Sequence, residues 1–201
     1  MDERLTIARS ELILGGQKSG KSRRAELLAR NWLGQSASHH AVLIATAQPW
    51  DEEMRTRIAR HQTDRAERVP GLRTVEKSHQ LSEALQKHSR PDTLVVVDCL
   101  TLWLTNWLMP MEPVPGRDLK LNSPLAGVSV APVAMLLDTL AKVPGPVVLV
   151  GNEIGLGVIP MGAEVRAFVD SLGHLNQDVA RVCRRVTLMA AGLPLTLKDA
   201  P

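Results

Sequence analysis

The chain has 201 residues and a formal net charge of +3, from 24 basic and 21 acidic side chains. Apolar residues make up 44% and charged residues 22%, which excludes a largely disordered, fibrous or collagen-like protein. With 2% aromatic residues and so small a net charge, we expect no nucleic-acid partner. The length fits one domain over residues 1–201, with an extension at 1–10.

The cysteines and the N-terminal segment predict a location. Cys99 and Cys183 lie far apart in apolar contexts without metal-ligand spacing, which is typical of a protein kept in a reducing compartment. The first ten residues lack the apolar core of a signal peptide, and no apolar run approaches the roughly 20 residues of a membrane-spanning helix. We therefore expect a cytoplasmic protein without a membrane span.

Short apolar runs alternate with longer amphipathic stretches in the first half of the chain. Strands are predicted at 12–14, 42–45, 72–75 and 94–97, and helices at 25–32, 51–62, 78–88 and 100–109. Ser78 is the predicted N-cap of the third helix. Prolines and glycines between residues 110 and 132 break any regular pattern, so this segment is predicted to be a long loop.

The second half continues with a helix at 134–143, a strand at 147–150 and a helix at 164–184, for which Gly173 is the candidate point of interruption. Two apolar runs at 186–190 and 193–197 flank Ala191 and Gly192 and predict a terminal hairpin. The alternation predicts an α/β fold, in which a mostly parallel sheet has helices on both faces and a C-terminal antiparallel hairpin.

The segment between the first strand and the first helix matches the phosphate-binding motif G-x-x-x-x-G-K-[ST] in full. It consists of Gly15, Gly16, Gln17, Lys18, Ser19, Gly20, Lys21 and Ser22. The backbone amides of such a loop point at phosphate oxygens, and the following helix adds the positive end of its dipole. We expect Lys21 to reach the β- and γ-phosphates, and the Ser22 hydroxyl to suit Mg²⁺.

Asp98 follows the β-branched run of the fourth predicted strand, where P-loop proteins hold Mg²⁺. A role as N-cap of the next helix is chemically reasonable and compatible with metal binding. Ser22 and Asp98 are therefore the predicted Mg²⁺ ligands. Together with the loop they predict a site for a nucleoside triphosphate, without indicating the acceptor of the phosphate.

His61 lies at the end of the predicted helix 51–62, which starts beside the carboxyl end of the second strand. A neutral imidazole near bound phosphates can attack phosphorus and form a phosphoramidate, which splits one transfer into two easier ones. From the residue alone, an ordinary surface position at a helix end is the simpler interpretation of His61.

Several short segments make the indication more specific. They are 44–46, 51–54, 57–61, 73–76, 97–101, 152–155, 157–160, Gly173 and 176–177, in addition to the phosphate loop. With these segments the sequence resembles the bifunctional adenosylcobinamide kinase / adenosylcobinamide-phosphate guanylyltransferase family over residues 11–198.

The resemblance implies a P-loop NTPase-like fold and two reactions. In the first, ATP or GTP phosphorylates the aminopropanol hydroxyl of adenosylcobinamide. In the second, GTP guanylylates His61, and adenosylcobinamide phosphate takes the GMP to give adenosylcobinamide-GDP. The resemblance further implies that Lys21 and His61 are the catalytic residues. It also implies a homotrimer, the assembly known for the family. Further nucleotide contacts are implied for Ala45, Thr46, Ala47, Gln62, Thr63, Asp64, Arg65, Glu76 and Asp98.

Two other functions remain open from the residues. A P-loop kinase of a small molecule without nucleotidyl transfer would use the same loop and Asp98. A nucleotide-dependent switch would bind the triphosphate without consuming cobinamide, although it gives no role to the 57–61 segment.

Overall fold

Seven strands alternate with six helices in the part of the chain that the computed structural model describes, residues 5–49, 51–110 and 130–200. The elements are β1 (Ser10–Gly15), α1 (Lys21–Gln35), β2 (His40–Ala45), α2 (Glu52–Arg68), β3 (Leu72–Glu76), α3 (Leu81–His88), β4 (Thr93–Asp98), α4 (Leu100–Leu108), α5 (Val130–Lys142), β5 (Val147–Val150), α6 (Ala163–Val182), β6 (Arg185–Ala190) and β7 (Leu193–Asp199). The alternation predicted from the apolar runs is confirmed.

The strands form one sheet in the order β3-β2-β4-β5-β1-β6-β7. Every neighbouring pair is parallel except β6 and β7, which form the predicted antiparallel hairpin. Ala191 and Gly192 turn this hairpin with φ of 51° and 81°, the positive angles that a two-residue turn requires. The predicted α/β fold is therefore confirmed.

Alternate residues of the central strands enter two separate cores. Leu12 and Leu14 of β1 pack with α3, α4, α5 and α6 on one face, whereas Ile13 packs with α1 on the other. Because side chains alternate across a strand, a strand covered on both faces must be apolar throughout. This explains the uninterrupted apolar runs and leaves the carboxyl ends of β1, β2, β4 and β5 along one edge of the sheet.

Helix α2 is longer than predicted. It begins after Asp51, whose Oδ1 accepts a hydrogen bond from the Met54 amide at 2.7 Å, and it ends at Arg68 rather than near Gln62. The additional turns are mostly polar, and the one buried side chain in them is the charged Arg65, so they carry no apolar periodicity from which their helical structure could be predicted.

The predicted start of α3 was wrong. The helix begins at Leu81, and its N-cap position is Gln80 rather than Ser78. The Ser78 hydroxyl instead lies 3.1 Å from Nδ1 of His79, and the Ser78 carbonyl accepts a hydrogen bond from Asn106 at 3.1 Å. A neighbouring side chain therefore takes the hydroxyl that we expected to cap the helix.

Two other boundaries differ. Helix α6 continues through Gly173 without interruption, and α5 begins at Val130, so it includes the last three residues of the predicted 110–132 loop. Pro132 is tolerated because it lies in the first turn of α5, where a backbone amide has no partner within the helix. Residues 111–129 of that loop lie outside the described residues.

The predicted N-terminal extension ends at residue 9, because Ser10 already belongs to β1. Leu5 and Ile7 pack against the core on the α1 face of the sheet. Among the helices of the described ranges, none combines the length and the apolar character needed to cross a bilayer.

Candidate active site

The phosphate-binding loop joins β1 to α1 at the carboxyl edge of the sheet. Gly15 has a φ of 152°, and a Cβ there would lie 2.5 Å from both the Met189 carbonyl oxygen and the Ser19 hydroxyl. Gly20, with a φ of 102°, is the N-cap of α1 and provides no side-chain cap. The first-turn amides of α1 therefore have no side-chain cap, an arrangement that is typical of anion sites at helix N-termini.

Lys21 lies against the loop. Its Nζ donates a hydrogen bond to the Gly16 carbonyl oxygen at 2.6 Å. Burial lowers the pKa of Lys21 from its ordinary value, although Cys99 and Asp98 act in the opposite direction. The charged ammonium group is therefore less well solvated at the loop than in water, so a negatively charged ligand there would stabilise it.

Ser22 and Asp98 meet beside the loop. The Ser22 hydroxyl donates to Asp98 Oδ1 at 3.5 Å. Burial raises the pKa of Asp98, while Arg65, the Ser22 hydroxyl and His61 act in the opposite direction. These are two hard oxygen donors, and a carboxylate that burial disfavours is stabilised by a divalent cation. The donor set therefore fits Mg²⁺.

A buried ionic network joins this pair to α1 and α2. Arg65 Nη2 lies 3.6 Å from Asp98 Oδ2, and Arg65 Nε lies 3.8 Å from Glu26 Oε1. Arg68 donates two hydrogen bonds to the same Glu26 carboxylate, at 2.8 and 3.1 Å. Glu26 is 4% and Arg65 7% exposed, so the charges neutralise one another away from water.

The roles of Glu26 and Arg68 were not predicted from the sequence. The one available signal was weak: Glu26 lies between the buried Ala25 and Leu28 on α1, an unusual place for an unpaired carboxylate.

His61 lies within α2 and not at the end of a helix, because α2 continues to Arg68. It is half-buried and precedes Arg65 by four residues, so the two side chains share one face of the helix. The imidazole is close enough to Asp98 to act on the pKa of that carboxyl group. The helix-end position predicted from the sequence is therefore wrong, and His61 lies in mid-helix.

The predicted residues after His61 divide into two groups. Gln62 Nε2 donates a hydrogen bond to Glu76 Oε1 at 2.9 Å, so these two are brought together across α2 and β3. The Thr63 hydroxyl donates a hydrogen bond to the Ala59 carbonyl oxygen at 3.2 Å, and Asp64 Oδ2 lies 3.8 Å from Arg68 Nη1. These contacts of Thr63 and Asp64 remain within α2.

Residues 45–47 continue from the carboxyl end of β2, where Ala45 is in register with both Glu76 and Asp98. The Thr46 side chain is completely buried, and its hydroxyl donates to the Cys99 carbonyl oxygen at 2.7 Å and accepts from the Cys99 amide at 2.9 Å. Asn106, which sequence analysis missed, donates to the Thr46 carbonyl oxygen at 2.8 Å. Thr46 thereby braces the chain that follows Asp98.

A loop bounded by glycines follows β1 of a mostly parallel sheet, and Lys21 and Ser22 are the first residues of the helix after it. This arrangement defines a P-loop nucleotide-binding protein. Residues 11–197 match the family described as cobinamide kinase / cobinamide phosphate guanyltransferase, and the chain belongs to this family. This membership confirms the resemblance seen in the sequence, the two enzymatic activities and the nucleotide substrates.

Three relatives are similar over nearly their whole length. The bifunctional adenosylcobalamin biosynthesis protein CobP of Pseudomonas aeruginosa is 44% identical over 191 residues, which cover 95% of this chain and 98% of that protein. The bifunctional adenosylcobalamin biosynthesis proteins CobU of Escherichia coli and Salmonella typhimurium are 33% and 30% identical over 187 residues, 93% of this chain and 98% of each relative.

Proposed function

We propose that the carboxyl edge of the sheet carries both reactions of the family in this chain. First, a triphosphate donates its γ-phosphate to the aminopropanol hydroxyl of adenosylcobinamide. His61 then accepts GMP from GTP and passes it to adenosylcobinamide phosphate. The observation that carries the proposal is the pairing of Arg65, one helical turn after His61, with Asp98 at 3.6 Å.

The phosphate loop, Gly15 to Ser22, would hold the triphosphate. Its backbone amides and the uncapped first turn of α1 offer donors to the phosphate oxygens. Lys21 donates to the Gly16 carbonyl oxygen, a neutral acceptor. Phosphate oxygens are stronger acceptors, so Lys21 would turn to them and offset the charge that develops during transfer.

Ser22 and Asp98 would hold Mg²⁺ beside the bound phosphates. When bound, the ion neutralises phosphate charge and helps to orient the phosphoryl groups. The protein contributes the position of the carboxylate: Arg65 approaches Oδ2 and the Ser22 hydroxyl approaches Oδ1, so Asp98 is held from two sides.

The guanylyl transfer would proceed in two displacements at His61. An imidazole nitrogen attacks the α-phosphorus of GTP, a P–N bond forms and pyrophosphate leaves with the electrons of the broken P–O bond. A phosphate oxygen of adenosylcobinamide phosphate then attacks the same phosphorus, the P–N bond breaks and neutral imidazole is restored. The products are pyrophosphate and adenosylcobinamide-GDP.

The remaining predicted contacts would bind the nucleoside. Gln62 and Glu76 form a hydrogen-bonded pair that offers both a donor and a carboxylate acceptor to a base or ribose. Residues 45–47 and Arg65 line the same end of the sheet. Thr63 and Asp64 follow on α2, and we propose that they contact the nucleotide from the helix.

We also propose that the chain forms an oligomer, a trimer by resemblance. Support comes from the segment 154–161 between β5 and α6, which we call the apolar arm. Leu156, Val158, Ile159 and Met161 are 80%, 96%, 77% and 95% exposed there. Four highly exposed apolar side chains within six residues are typical of a segment that contacts another protein. A cytoplasmic location is supported by the free, buried thiols of Cys99 and Cys183.

Product analysis with adenosylcobinamide, ATP and GTP tests the proposal. Lys21→Ala is expected to lose both products, because both reactions use the triphosphate. His61→Ala is expected to accumulate adenosylcobinamide phosphate without adenosylcobinamide-GDP. His174→Ala, which removes an exposed histidine of α6, is the matched control and is expected to behave as the wild type. Normal amounts of adenosylcobinamide-GDP from His61→Ala would refute the covalent route, whereas wild-type protein that makes only the phosphate would favour the simple kinase.

A further inference from the structure

A second polar pocket lies at the opposite edge of the sheet from the nucleotide site. Its volume is about 430 Å³, within the range of small-molecule sites. It is lined by the amino ends of β2, β3 and β4 and by the end of α3. Its polar side chains are His40, Arg73, Lys87, His88, Arg90 and Thr93.

The pocket is separate from the phosphate loop. His40 and Thr93 are the first residues of β2 and β4, whose last residues, Ala45 and Asp98, lie at the nucleotide site. A rise of roughly 3.3 Å per residue places the two edges about 16 Å apart along these strands. A ligand in this pocket would therefore not be the nucleotide that the loop holds.

The charges of the pocket are of one sign. Arg73, Lys87 and Arg90 line it, and no carboxylate is among its lining residues within the described ranges. The nearby Asp92 accepts a hydrogen bond from the Thr93 hydroxyl at 3.0 Å and stays outside the lining. The three side chains are exposed, so water weakens their mutual repulsion, and a bound anion would relieve it further.

Two of the basic groups have defined positions. Arg73 Nη2 lies 3.1 Å from His88 Nδ1, so the guanidinium donates to a neutral imidazole instead of a carboxylate. Arg90 Nη1 donates to the Ser89 carbonyl oxygen at 2.6 Å, which holds this side chain beside the end of α3. Burial lowers the pKa of His88, and Arg73, Lys87, Arg90 and Lys77 lower it further, which indicates a positive potential that is not neutralised.

We propose that this pocket binds a small phosphorylated anion, held by Arg73, Lys87, His88 and Arg90. The planar guanidinium groups match phosphate oxygens in pairs, and an ammonium adds a point charge. His88 becomes a second donor when it gains a proton, and a bound anion favours that protonated form. A ligand with two or more negative charges matches the three permanent cations.

The probe is inorganic pyrophosphate, and the reporter is the ring resonance of His88 in a pH titration by NMR, assigned with His88→Gln. Pyrophosphate binding at the phosphate loop does not disturb this reading, because only the His88 signal is followed. Pyrophosphate is expected to raise the titration midpoint of His88 by about one pH unit relative to sodium chloride of equal ionic strength. An unchanged midpoint would overturn the proposal.

Variants and vesicles complete the test. Arg73→Gln combined with Lys87→Gln is expected to abolish the change that pyrophosphate causes, whereas Lys142→Gln, which removes an exposed cation of α5, is expected to retain it. Retention in the double variant would contradict the proposed site. The same titration with anionic phospholipid vesicles distinguishes a lipid headgroup from a free ligand. A response to vesicles and none to pyrophosphate would overturn the small-molecule proposal in favour of a membrane surface.

Discussion

Arg65 Nη2 on α2 lies 3.6 Å from Asp98 Oδ2 at the end of β4, and Arg65 Nε lies 3.8 Å from Glu26 Oε1 on α1. One buried guanidinium therefore joins the helix that carries His61 to the helix that carries Lys21. Among the α2 side chains that the structure describes, Arg65 is the one that is buried. We infer that this ionic contact, rather than apolar packing, sets the position of His61.

Glu26→Gln is expected to loosen α2. The substitution leaves Arg65 and Arg68 without their shared carboxylate, and breaking a buried ion pair costs about 3 kcal/mol of unfolding free energy. Because α2 carries His61, formation of adenosylcobinamide-GDP should fall more than formation of adenosylcobinamide phosphate. Urea unfolding and the two product assays measure these effects.

Glu52→Gln is the matched control for Glu26→Gln. It removes a carboxylate of α2 whose pairing with Arg55 is exposed to solvent, and such pairs add little to stability. Equal loss of both products in Glu26→Gln, with unchanged stability, would contradict the role assigned to the network.

Gly15→Ala is expected to destroy nucleotide binding and to lower the unfolding free energy by about 2 kcal/mol. The new Cβ would lie 2.5 Å from the Met189 carbonyl oxygen and from the Ser19 hydroxyl, at a φ that L-residues avoid. Gly16→Ala is the control, because a Cβ at Gly16 meets no atom within 4 Å. Thermal unfolding with and without GTP measures both effects, and equal behaviour of the two variants would refute the steric argument.

GTP binding is expected to take up a proton at alkaline pH. Burial lowers the pKa of Lys21 in the free protein, and the phosphates of bound GTP raise it again. Affinity should therefore fall as the pH rises from the lowered pKa towards the ordinary value of 10.5. Calorimetry at one alkaline pH, in two buffers of different ionisation enthalpy, measures the uptake.

Lys21→Met is expected to abolish this proton uptake and to weaken GTP binding about 10- to 100-fold, the value of a hydrogen bond to a charged group. Lys142→Gln should leave both quantities unchanged. If proton uptake persists in Lys21→Met, a group other than Lys21 takes up the proton, which would contradict the prediction.

Val158→Glu combined with Met161→Glu is expected to shift the protein to a smaller species in sedimentation velocity. Both side chains are more than nine-tenths exposed on the apolar arm, and a buried carboxylate in a contact between subunits is costly. Met135→Glu, on the exposed side of α5, is the control and should sediment as the wild type. The proposal of an oligomer through the apolar arm fails if the double variant is unchanged.

The sequence predicted the strands well because each central strand is buried on both faces. The runs at 12–14 and 94–97 are apolar throughout, and both lie at the centre of the sheet. The phosphate loop was also predictable, because its motif requires glycine at Gly15 and Gly20, where the backbone takes positive φ. Such features depend on local rules that a single segment carries.

Features that depend on distant partners could not be predicted. The last turns of α2 are polar, and their position follows from the pairing of Arg65 with residues on α1 and β4. The nucleotide contact of Thr46 stays a prediction, and the engagement of its hydroxyl by Cys99 was not foreseen, because Cys99 follows β4, a strand that neighbours β2 only after folding. The failure of Ser78 as a cap is local instead, because its neighbour His79 takes the hydroxyl.

The central claim is that His61 carries GMP between GTP and adenosylcobinamide phosphate. Incubation with GTP labelled on the α-phosphate, followed by peptide mapping, tests it most directly. We expect a base-stable, acid-labile adduct on the peptide that contains His61, lost on addition of adenosylcobinamide phosphate and absent from His61→Ala but present in His174→Ala. Formation of adenosylcobinamide-GDP without any labelled protein, or a label on another residue, would contradict the account.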